Sequence, residues 1–574
     1  MAYRFLPPPA IDASGACQDG LVEGPLVLAQ APATVRFTYR DAATKELVCD
    51  ALVDPSGAPV VAVPTSAPVD LEVDFYGPDS DLVGAGRVRA IDLDDSLDVD
   101  VQVRPAERFT CTGQRATVAR AFHSATALPS GQVLLVGGIR ADPGQAVDIE
   151  NQGLHLSSDV ELYDPSTATF TPVSVPGLIP RALHQAVLIE PDADAEVTVA
   201  LIGGLTVAGD AALLPGLALG TTGLRIEPGA SAVAAPIELL TFDDATGTLT
   251  RRVVDDEAEA RAFAAALPIP GAGPRVLVAG GWDGSSGLAD TETPFTAVDE
   301  LRLLDPATPA GATTLALATA RMGATATILD DGRALMWGGH LGAAEADRGP
   351  LTGEFLDRLD SDAPRGLPAI YTGVTARPRA FHEAALAGDG SVLVAGGFDI
   401  SAEGVAVTRS VIFAQRLVVD GTTVQVANVD VGGEPPPTAA YPALSTLPNG
   451  DVLITGGNPD PAAAGCATGA GGLVCSRDLA FVYRTDLRGL VALAPGLLRP
   501  RYGHRQTVLD DGTVLVTGGV SDAGGQLEVL VDAEIFVPVP VGEDDLGRAP
   551  GQVARDPAGQ AIAPCEVIAG DSAG

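Results

Sequence analysis

Aromatic residues and lysine are both scarce in this chain of 574 residues. Phe, Trp and Tyr make up 4% of it, so a hydrophobic core has to be built mainly from aliphatic side chains. Lys45 is the only lysine, and 74 acidic residues stand against 35 basic ones, which gives a formal net charge of −39. A surface of that charge repels phosphate groups, so neither nucleic acids nor anionic membranes are expected as partners.

Long apolar runs are missing as well. No stretch reaches the ~18 uninterrupted apolar residues that a membrane-spanning helix needs, so none is predicted. The residues that lead into Pro7, Pro8 and Pro9 lack the apolar core of ~7–15 residues found in a secretory signal. The chain is therefore expected to be either cytosolic or a product from which a signal was removed before residue 1.

Chain-breaking residues, by contrast, are abundant. The sequence contains 67 glycines and 45 prolines. This density disfavours a helical bundle and favours many short strands joined by turns. An all-β fold is therefore predicted.

One sequence pattern occurs seven times. The copy from Arg120 to Gly138 reads RAFHSATALPSGQVLLVGG, and the copy from Arg501 to Gly519 reads RYGHRQTVLDDGTVLVTGG. Each copy predicts a short strand, a tight turn, and a continuously apolar second strand that ends in Gly-Gly. Repeats of this size indicate a radial β-propeller. The first glycines of the pairs are Gly137, Gly203, Gly280, Gly338, Gly396, Gly456 and Gly518.

Two further strands follow each Gly-Gly pair. In the first copy, Val160 to Tyr163 alternates, Asp164 begins a turn, and a fourth strand is expected near Phe170. The Arg-x-x-His segment, the Gly-containing hairpin, the Gly-Gly pair and this strand pair together resemble the kelch repeat. The resemblance covers about Phe109 to Phe536 and implies a seven-bladed kelch-type β-propeller of four-stranded blades. Ala264, Ala324 and Pro442 depart from the pattern because they replace the histidine, and the late-blade Trp usual in kelch repeats is absent.

The spacing also predicts how the ring closes. Phe109 lies as far before Arg120 as Phe170 lies before Arg181, so Phe109 is expected in a fourth strand that completes the last blade. Such a closure removes two exposed sheet edges. Three segments are predicted: an N-terminal antiparallel β-sandwich at 1–103, which weakly resembles Ig-like or transthyretin-like modules, the propeller at 104–540, and an irregular tail at 541–574.

Six cysteines indicate an oxidising compartment, because none falls in a predicted core strand and the count is even. Nearness in sequence and the inferred ring closure predict the bridges Cys17–Cys49, Cys466–Cys475 and Cys111–Cys565. The alternative is six thiols in a cytosolic protein. No zinc-type spacing of Cys and His occurs.

Six arginines open the repeats and are expected to ring the mouth of the channel as a candidate site for anions or carboxylates. They are Arg120, Arg181, Arg261, Arg321, Arg379 and Arg501. The alternative is that each pairs with an acidic loop residue or with carbonyl groups of a neighbouring blade. Four histidines share the fourth position of the repeat, and hydrogen bonds to the backbone of the adjacent blade are favoured over metal binding. They are His123, His184, His382 and His504.

The longest loops are all predicted on one face, at 139–158, 205–236, 282–298, 340–354 and 458–476. Long loops on a rigid scaffold are a usual place for binding. The apolar run at 211–219 has no evident place in a blade and is predicted to contact a protein partner. These features favour a secreted or surface-attached binding or adhesion protein with a protein or glycan ligand.

The alternative function is enzymatic. Some propellers, similar to galactose oxidase, hold copper with Tyr and His and carry a Tyr–Cys cross-link. Tyr441, Tyr502 and His504 are expected near the axis, but no Cys is placed to make such a link. Signatures of other carbohydrate-active enzymes and hydrolases are absent. No catalytic residue, metal ion or cofactor is therefore predicted, and binding is favoured over catalysis.

Overall fold

The computed structural model is built from β-strands. Within the residues it describes there is no helix, and hence none long and apolar enough to cross a membrane. Those residues are 2–12, 16–19, 26–28, 30–55, 60–92, 98–141, 154–189, 197–207, 217–220, 223–226, 232–243, 248–254, 260–269, 273, 275–283, 297–305, 313–339, 353–359, 365–373, 379–400, 407–409, 413–432, 439–459, 468–469, 472–473, 478–521, 528–539 and 565–568.

Seven antiparallel sheets within the described residues share one topology, in which each strand pairs with the next strand of its repeat. We call them repeat sheets 1 to 7, in the order of their Gly-Gly pairs. From first to fourth, the strands are Ser124–Ala127, Val133–Val136, Val160–Asp164 and Thr169–Val173 in sheet 1; Gln185–Ile189, Val197–Ile202, Glu238–Asp243 and Thr248–Val253 in sheet 2; Ala265–Pro268, Val276–Ala279, Glu300–Leu304 and Thr313–Ala316 in sheet 3; Thr325–Ile328, Ala334–Trp337, Glu354–Asp357 and Arg365–Pro368 in sheet 4; Glu383–Leu386, Val392–Ala395, Ala414–Asp420 and Thr423–Asn428 in sheet 5; Ala443–Thr446, Val452–Thr455, Ala480–Arg484 and Gly489–Ala492 in sheet 6; and Arg505–Val508, Val514–Thr517, Ala533–Phe536 and Phe109–Cys111 in sheet 7. Sheet 5 gains a fifth strand, Ile370–Gly373, which runs parallel to its fourth.

The first strands of the repeat sheets lie side by side in a closed cycle, from sheet 1 through sheet 7 and back to sheet 1. Second strands such as Val133–Val136 are buried along their whole length, because each is covered on both faces by neighbouring sheets. The arrangement is that of a β-propeller-like fold.

The predicted partnership between Phe109 and the last repeat is confirmed. Phe109 lies opposite Phe536 in an antiparallel pair, and their ring centroids are 4.9 Å apart. The strand Phe109–Cys111 therefore covers the edge that the third strand of sheet 7 would otherwise expose.

The N-terminal segment forms one six-stranded sheet beside a short ribbon. In spatial order the sheet strands are Ala2–Leu6, Asp98–Pro105, Leu82–Ile91, Val69–Tyr76, Thr34–Asp41 and Leu47–Val53. Unlike the antiparallel arrangement expected from the sequence, the first of these runs parallel to its neighbour. The ribbon pairs Val60–Ala62 with Glu566–Ile568, so the tail predicted to be irregular contains a strand. The rest of that tail, at 541–564 and 569–574, lies outside the described residues.

The N-terminal sheet packs against the turns of the repeat sheets. Val537, just after the third strand of sheet 7, shares an apolar cluster with Tyr76, Leu82 and Ala85. Nearby, Arg89 forms an ion pair of 3.4 Å with Asp510 in the hairpin turn of sheet 7. The two segments therefore meet at the hairpin-turn side of the repeats.

Two disulfides lie within the described residues, and their pairing corrects the prediction for those four cysteines. The bridges are Cys17–Cys111 and Cys49–Cys565. The backbone N–H of Cys17 donates to Asp532 of sheet 7 at 3.1 Å, which brings Cys17 to the closing strand rather than to Cys49. The N–H of Cys565 donates to the carbonyl oxygen of Asp50 at 2.8 Å, which returns the tail to the N-terminal sheet. Both bridges are consistent with an extracellular location.

Short strands form small separate sheets on the long-loop side of the repeats. They are Ile139–Ala141 with Leu154–Leu156, Leu205–Val207 with Ala232–Ala234, Leu217–Gly220 with Gly223–Ile226, Arg379–Ala380 with Phe398–Ile400 and Val407–Arg409, Ala439–Ala440 with Asn458–Pro459, Thr468–Gly469 with Gly472–Leu473, and Val520–Ser521 with Glu528–Val529. The apolar run at 211–219 falls partly in this set: 217–219 belongs to a two-stranded hairpin outside repeat sheet 2, and 211–216 lies outside the described residues.

Candidate functional site

The candidate site is the axial layer, which we define as the Arg-x-x-His segments that precede the first strands of the seven repeat sheets. The six predicted arginines belong to this layer, and the structure buries them inside their sheets. Each is at most 5% exposed. Each donates to the side chain of an acidic residue or a glutamine at the start of the third strand of its own sheet. In chain order these acceptors are Glu161, Glu238, Glu300, Glu354, Gln415 and Glu534.

The pair in sheet 7 shows the geometry in detail. Arg501 Nη2 lies 2.5 Å from Glu534 Oε1, and Arg501 Nη1 donates to the carbonyl oxygen of Gly518 at 2.8 Å. Burial raises the pKa of Glu534, an effect that the charge of Arg501 opposes. Because both groups are buried and engaged, the prediction of an anion-binding arginine ring is corrected to internal pairing, with five ion pairs to glutamate and one hydrogen bond from Arg379 to Gln415. The alternative drawn from the sequence, pairing within the fold, describes the arginines better, although the partners lie on strands rather than in loops.

Sheet 6 lacks both members of this pair. Ala439 stands in place of the arginine, and Phe481 occupies the place that Glu534 has in sheet 7. Ala439 and Phe481 belong to one buried apolar cluster with Phe413. Five sheets contain both Arg and Glu, sheet 6 lacks both, and sheet 5 has Arg379 with Gln415. This covariation was a signal in the sequence for the partners, and considering each repeat position separately missed it.

The four histidines connect neighbouring repeat sheets. Each Nε2 lies within hydrogen-bond distance of a hydroxyl group on the preceding sheet, so the acceptor expected from the sequence, a backbone group, is replaced by a side chain. The pairs are His123 with Thr517 at 2.9 Å, His184 with Ser124 at 2.8 Å, His382 with Thr325 at 2.9 Å, and His504 with Thr455 at 2.7 Å.

Burial keeps these imidazoles neutral. It lowers the pKa of His123, His184 and His504 well below the usual value, and nearby arginines act in the same direction. The same causes lower the pKa of His382 to about 3. The histidines are therefore structural links between sheets, as the sequence favoured.

The Gly-Gly pairs allow one sheet to approach the next. At Gly518, φ is +60°, and a Cβ atom placed there would lie 2.2 Å from the carbonyl oxygen of Arg120 in sheet 1. The next residue, Gly519, donates its N–H to that same oxygen at 2.8 Å. Glycine is required here both for the left-handed backbone and for the close contact.

The third position of the Arg-x-x-His segment has a left-handed backbone in all seven repeats, with φ between +54° and +63°. The residues are Phe122, Leu183, Phe263, Gly323, Phe381, Tyr441 and Gly503. Such values are uncommon for bulky residues. Backbone bonds between neighbouring sheets hold them, for example from the N–H of Leu183 to the carbonyl oxygen of Phe122 at 2.9 Å. We call these seven residues the axial ring. Glycine at 323 and 503 is compatible with this backbone, whereas the five bulky residues carry no sequence signal for it.

Side chains of the axial ring meet one another. The rings of Phe263 and Phe381 form an edge-to-face contact with centroids 5.3 Å apart, and those of Phe122 and Tyr441 form a second at 5.2 Å. Gly503 makes room for Phe122, because a Cβ at Gly503 would lie 2.7 Å from that ring. The axis therefore carries a cluster of aromatic side chains.

A cavity of about 200 Å³ adjoins this cluster. The axial ring forms part of its wall, and residues from the fourth position of the repeat and from the first strands line the rest, among them Gln185, Thr325, Glu383 and Arg505. Apolar rings thus stand beside one carboxylate and one guanidinium.

The residues do not fit a copper site of the Tyr and His type. Tyr441 and Tyr502 stack with centroids 6.4 Å apart, and Phe122 contacts both rings. His504 Nε2 is held by Thr455. The four cysteines in the described part of the chain are all in disulfides, and no group of three or more His, Cys, Asp or Glu residues there is placed to hold a metal ion.

Much of the predicted loop face lies outside the described residues. This holds for 142–153, 208–216, 284–296, 340–352 and 460–467, and it includes Cys466. Cys475 is also outside them, so the predicted bridge Cys466–Cys475 stays a prediction.

No protein-family model matches the chain, and no curated protein matches it. Among solved structures, the chain is similar to a fungal alcohol oxidase with catalytic diversity among the AA5 family, in complex with copper. The identity is 14%, the TM-score is 0.47, and the match covers 78% of each chain.

Proposed function

We propose that the protein is a secreted or surface-attached binding protein whose repeat sheets are the seven blades of a kelch-type β-propeller, with the N-terminal sheet and its ribbon as a separate β-sandwich-type module. Its ligand is a protein or a glycan, captured by the long loops. This proposal retains the preference drawn from the sequence.

The observation that supports it is the internal use of the repeat's polar groups. Arginines that open the repeats are paired with third-strand residues, histidines with hydroxyl groups of the neighbouring sheet, and the axial ring packs aromatic side chains together. Each repeat therefore contributes to a rigid frame. A rigid frame that carries long loops is suited to binding.

The test is a binding measurement with loop variants. A protein in which 208–231 is replaced by a short Gly-Ser linker should lose saturable binding to its ligand on a glycan or surface-protein array, while its unfolding transition is kept. Shortening by one residue the segment 244–247, which joins the third and fourth strands of repeat sheet 2, is the matched control and should leave binding intact. Unchanged binding by the linker variant and by equivalent replacements in the other long loops would contradict the proposal.

The competing proposal is a propeller enzyme, either a copper oxidase similar to galactose oxidase or a carbohydrate-active enzyme. It predicts stoichiometric copper uptake together with peroxide formation from primary alcohols, or cleavage of glycans. Metal analysis and a peroxide assay on copper-treated and chelator-treated protein separate the two. Copper at one equivalent with turnover would replace the binding proposal.

A further inference from the structure

The axial cavity has the composition of a ligand site. Its volume of about 200 Å³ corresponds to roughly seven water molecules at ~30 Å³ each. This is smaller than the pockets that hold drug-sized molecules. A ligand of this cavity is therefore small, and it contacts both apolar and charged side chains.

The charged part of the cavity is a loose ion pair. Glu383 begins the first strand of sheet 5, and Arg505 begins the first strand of sheet 7. The distance from Arg505 Nη1 to Glu383 Oε1 is 3.5 Å, which is long for a charge-assisted hydrogen bond. Arg505 Nε donates instead to the carbonyl oxygen of His123 at 2.7 Å, which fixes the direction of the guanidinium.

Both groups remain accessible inside the cavity. The side chain of Glu383 keeps 41% of its surface accessible to water, and that of Arg505 keeps 28%. This differs sharply from Glu534 and Arg501, whose side chains have no exposed surface. Protein atoms nevertheless surround Glu383, and this burial raises its pKa, against the influence of Arg505.

The apolar part of the cavity is aromatic. Phe122, Phe263, Phe381 and Tyr441 of the axial ring contribute to its wall. Aromatic rings grouped around a space attract alkylated ammonium groups through cation–π interactions. The neutral state of His382 and His504 leaves Glu383 and Arg505 as the charged groups of the wall.

These features select the charge of the ligand. A cation alone would take Glu383 from Arg505, and an anion alone would take Arg505 from Glu383. In either case one charge of the pair loses its counter-ion, which is costly for a partly buried group. A molecule with one charge of each sign satisfies both groups, with its ammonium beside Glu383 and the aromatic rings and its carboxylate at Arg505. We propose that the axial cavity binds a small zwitterion with an alkylated ammonium group. The proposal does not depend on the loop face or on the ligand bound there.

Calorimetric titration with glycine betaine tests this on the full chain. Two matched probes each remove one charge: 3,3-dimethylbutanoate replaces the ammonium by a neutral carbon of the same shape, and choline lacks the carboxylate. We expect saturable binding of glycine betaine and binding weaker by on the order of tenfold or more for each of the other two. Absence of saturable binding, or equal binding of all three probes, would overturn the proposal.

Variants locate the site. Glu383→Gln and Arg505→Gln should each weaken binding of glycine betaine by on the order of tenfold or more, and Asp357→Asn, which breaks an exposed pair with Arg365, is the control and should leave it unchanged. If one cavity variant fails to fold, the other decides. Retention of full affinity in a folded Glu383→Gln or Arg505→Gln protein would place any binding elsewhere and contradict the assignment.

Discussion

Repeat sheets 6 and 7 fill the same two buried positions with side chains of opposite chemistry. Sheet 7 buries Arg501 against Glu534, with both side chains fully covered. Sheet 6 places Ala439 and Phe481 at the corresponding positions, inside an apolar cluster. A buried ion pair and a well-packed apolar pair can be close in stability, whereas a single unpaired charge is costly. The comparison teaches that, between these two sheets, the arginine and its acidic partner are exchanged as one unit, whereas sheet 5 keeps the arginine and offers it the neutral Gln415.

The comparison extends to the fourth position of the Arg-x-x-His segment. His504 links sheet 7 to Thr455 of sheet 6, whereas Pro442 takes the histidine's place in sheet 6 itself. A Cβ placed at Gly396 of sheet 5 would lie 2.5 Å from Cδ of Pro442, so the proline ring occupies the space beside the preceding Gly-Gly pair. At His504, the imidazole fills the equivalent space beside Gly456. The proline ring in sheet 6 therefore fills the space that the imidazole fills in sheet 7, although the hydrogen bond of the histidine is lost.

The largest expected effect comes from breaking the pair of sheet 7 on one side only. Arg501→Ala leaves Glu534 buried without its counter-ion, so the free energy of unfolding should fall by about 3–5 kcal/mol. Urea unfolding followed by circular dichroism measures this. Arg365→Ala, which removes an exposed pair with Asp357, is the control and should cost about 0–1 kcal/mol. Equal losses for the two variants would show that burial of the pair is unimportant.

The next effect is a dependence of stability on pH that arises from a buried repeat histidine. Sheet 6 has Pro442 at that position and so lacks this contribution. Folding lowers the pKa of His382 to about 3, whereas the unfolded chain has a value near 6.5. Above about pH 6.5 both states are neutral at this residue and it contributes nothing. As the pH falls from there towards 3, the unfolded state binds a proton that the folded state does not, so stability decreases by up to about 1.4 kcal/mol per pH unit.

His382→Asn should therefore show a shallower loss of stability between pH 6 and 4 than the unaltered protein. Denaturant unfolding at several pH values measures the two slopes, and the carboxylates that both proteins share cancel in the difference. Parallel slopes would contradict the neutral, buried state of His382.

The smallest effect concerns the link between sheets 6 and 7. Thr455→Val removes the hydroxyl group that bonds His504 Nε2 and accepts from Gln506 Nε2, and it leaves the buried imidazole nitrogen without that bond. The expected loss is about 1–2 kcal/mol by thermal or urea unfolding. Thr250→Val, at an exposed position on the fourth strand of sheet 2, is the control and should be close to neutral. If Thr455→Val lowers the free energy of unfolding no more than the control does, the histidine bonds do not contribute measurably to joining the sheets.

The repeat pattern was sufficient to predict the all-β class, the short apolar second strands, and the pairing of Phe109 with the last repeat. These follow from local pattern and spacing, which a single sequence contains. The partners of Cys17 and Cys49 were predicted wrongly. The partner of Cys49 depends on how the tail returns to the N-terminal sheet and that of Cys17 on how the N-terminal segment reaches the closing strand, and nearness in sequence reports neither.

The axial ring could not be predicted either, for a different reason. Phe122 and Phe381 have no intrinsic preference for a left-handed backbone, and bonds to neighbouring sheets hold them there. The partners of the six arginines lay within reach of the sequence. Comparing all seven repeats at once would have shown that Ala439 and Phe481 replace the arginine and its acidic partner together.

A double-mutant cycle on sheet 7 tests the exchangeable unit most directly. The cycle compares Arg501→Ala, Glu534→Phe and the double variant, which reproduces the chemistry of sheet 6, by urea unfolding. The double variant should be more stable than the sum of the two single losses allows by at least about 2 kcal/mol, because it leaves no unpaired buried charge. Losses that add to within about 0.5 kcal/mol would show that the two residues act independently, and would contradict the account.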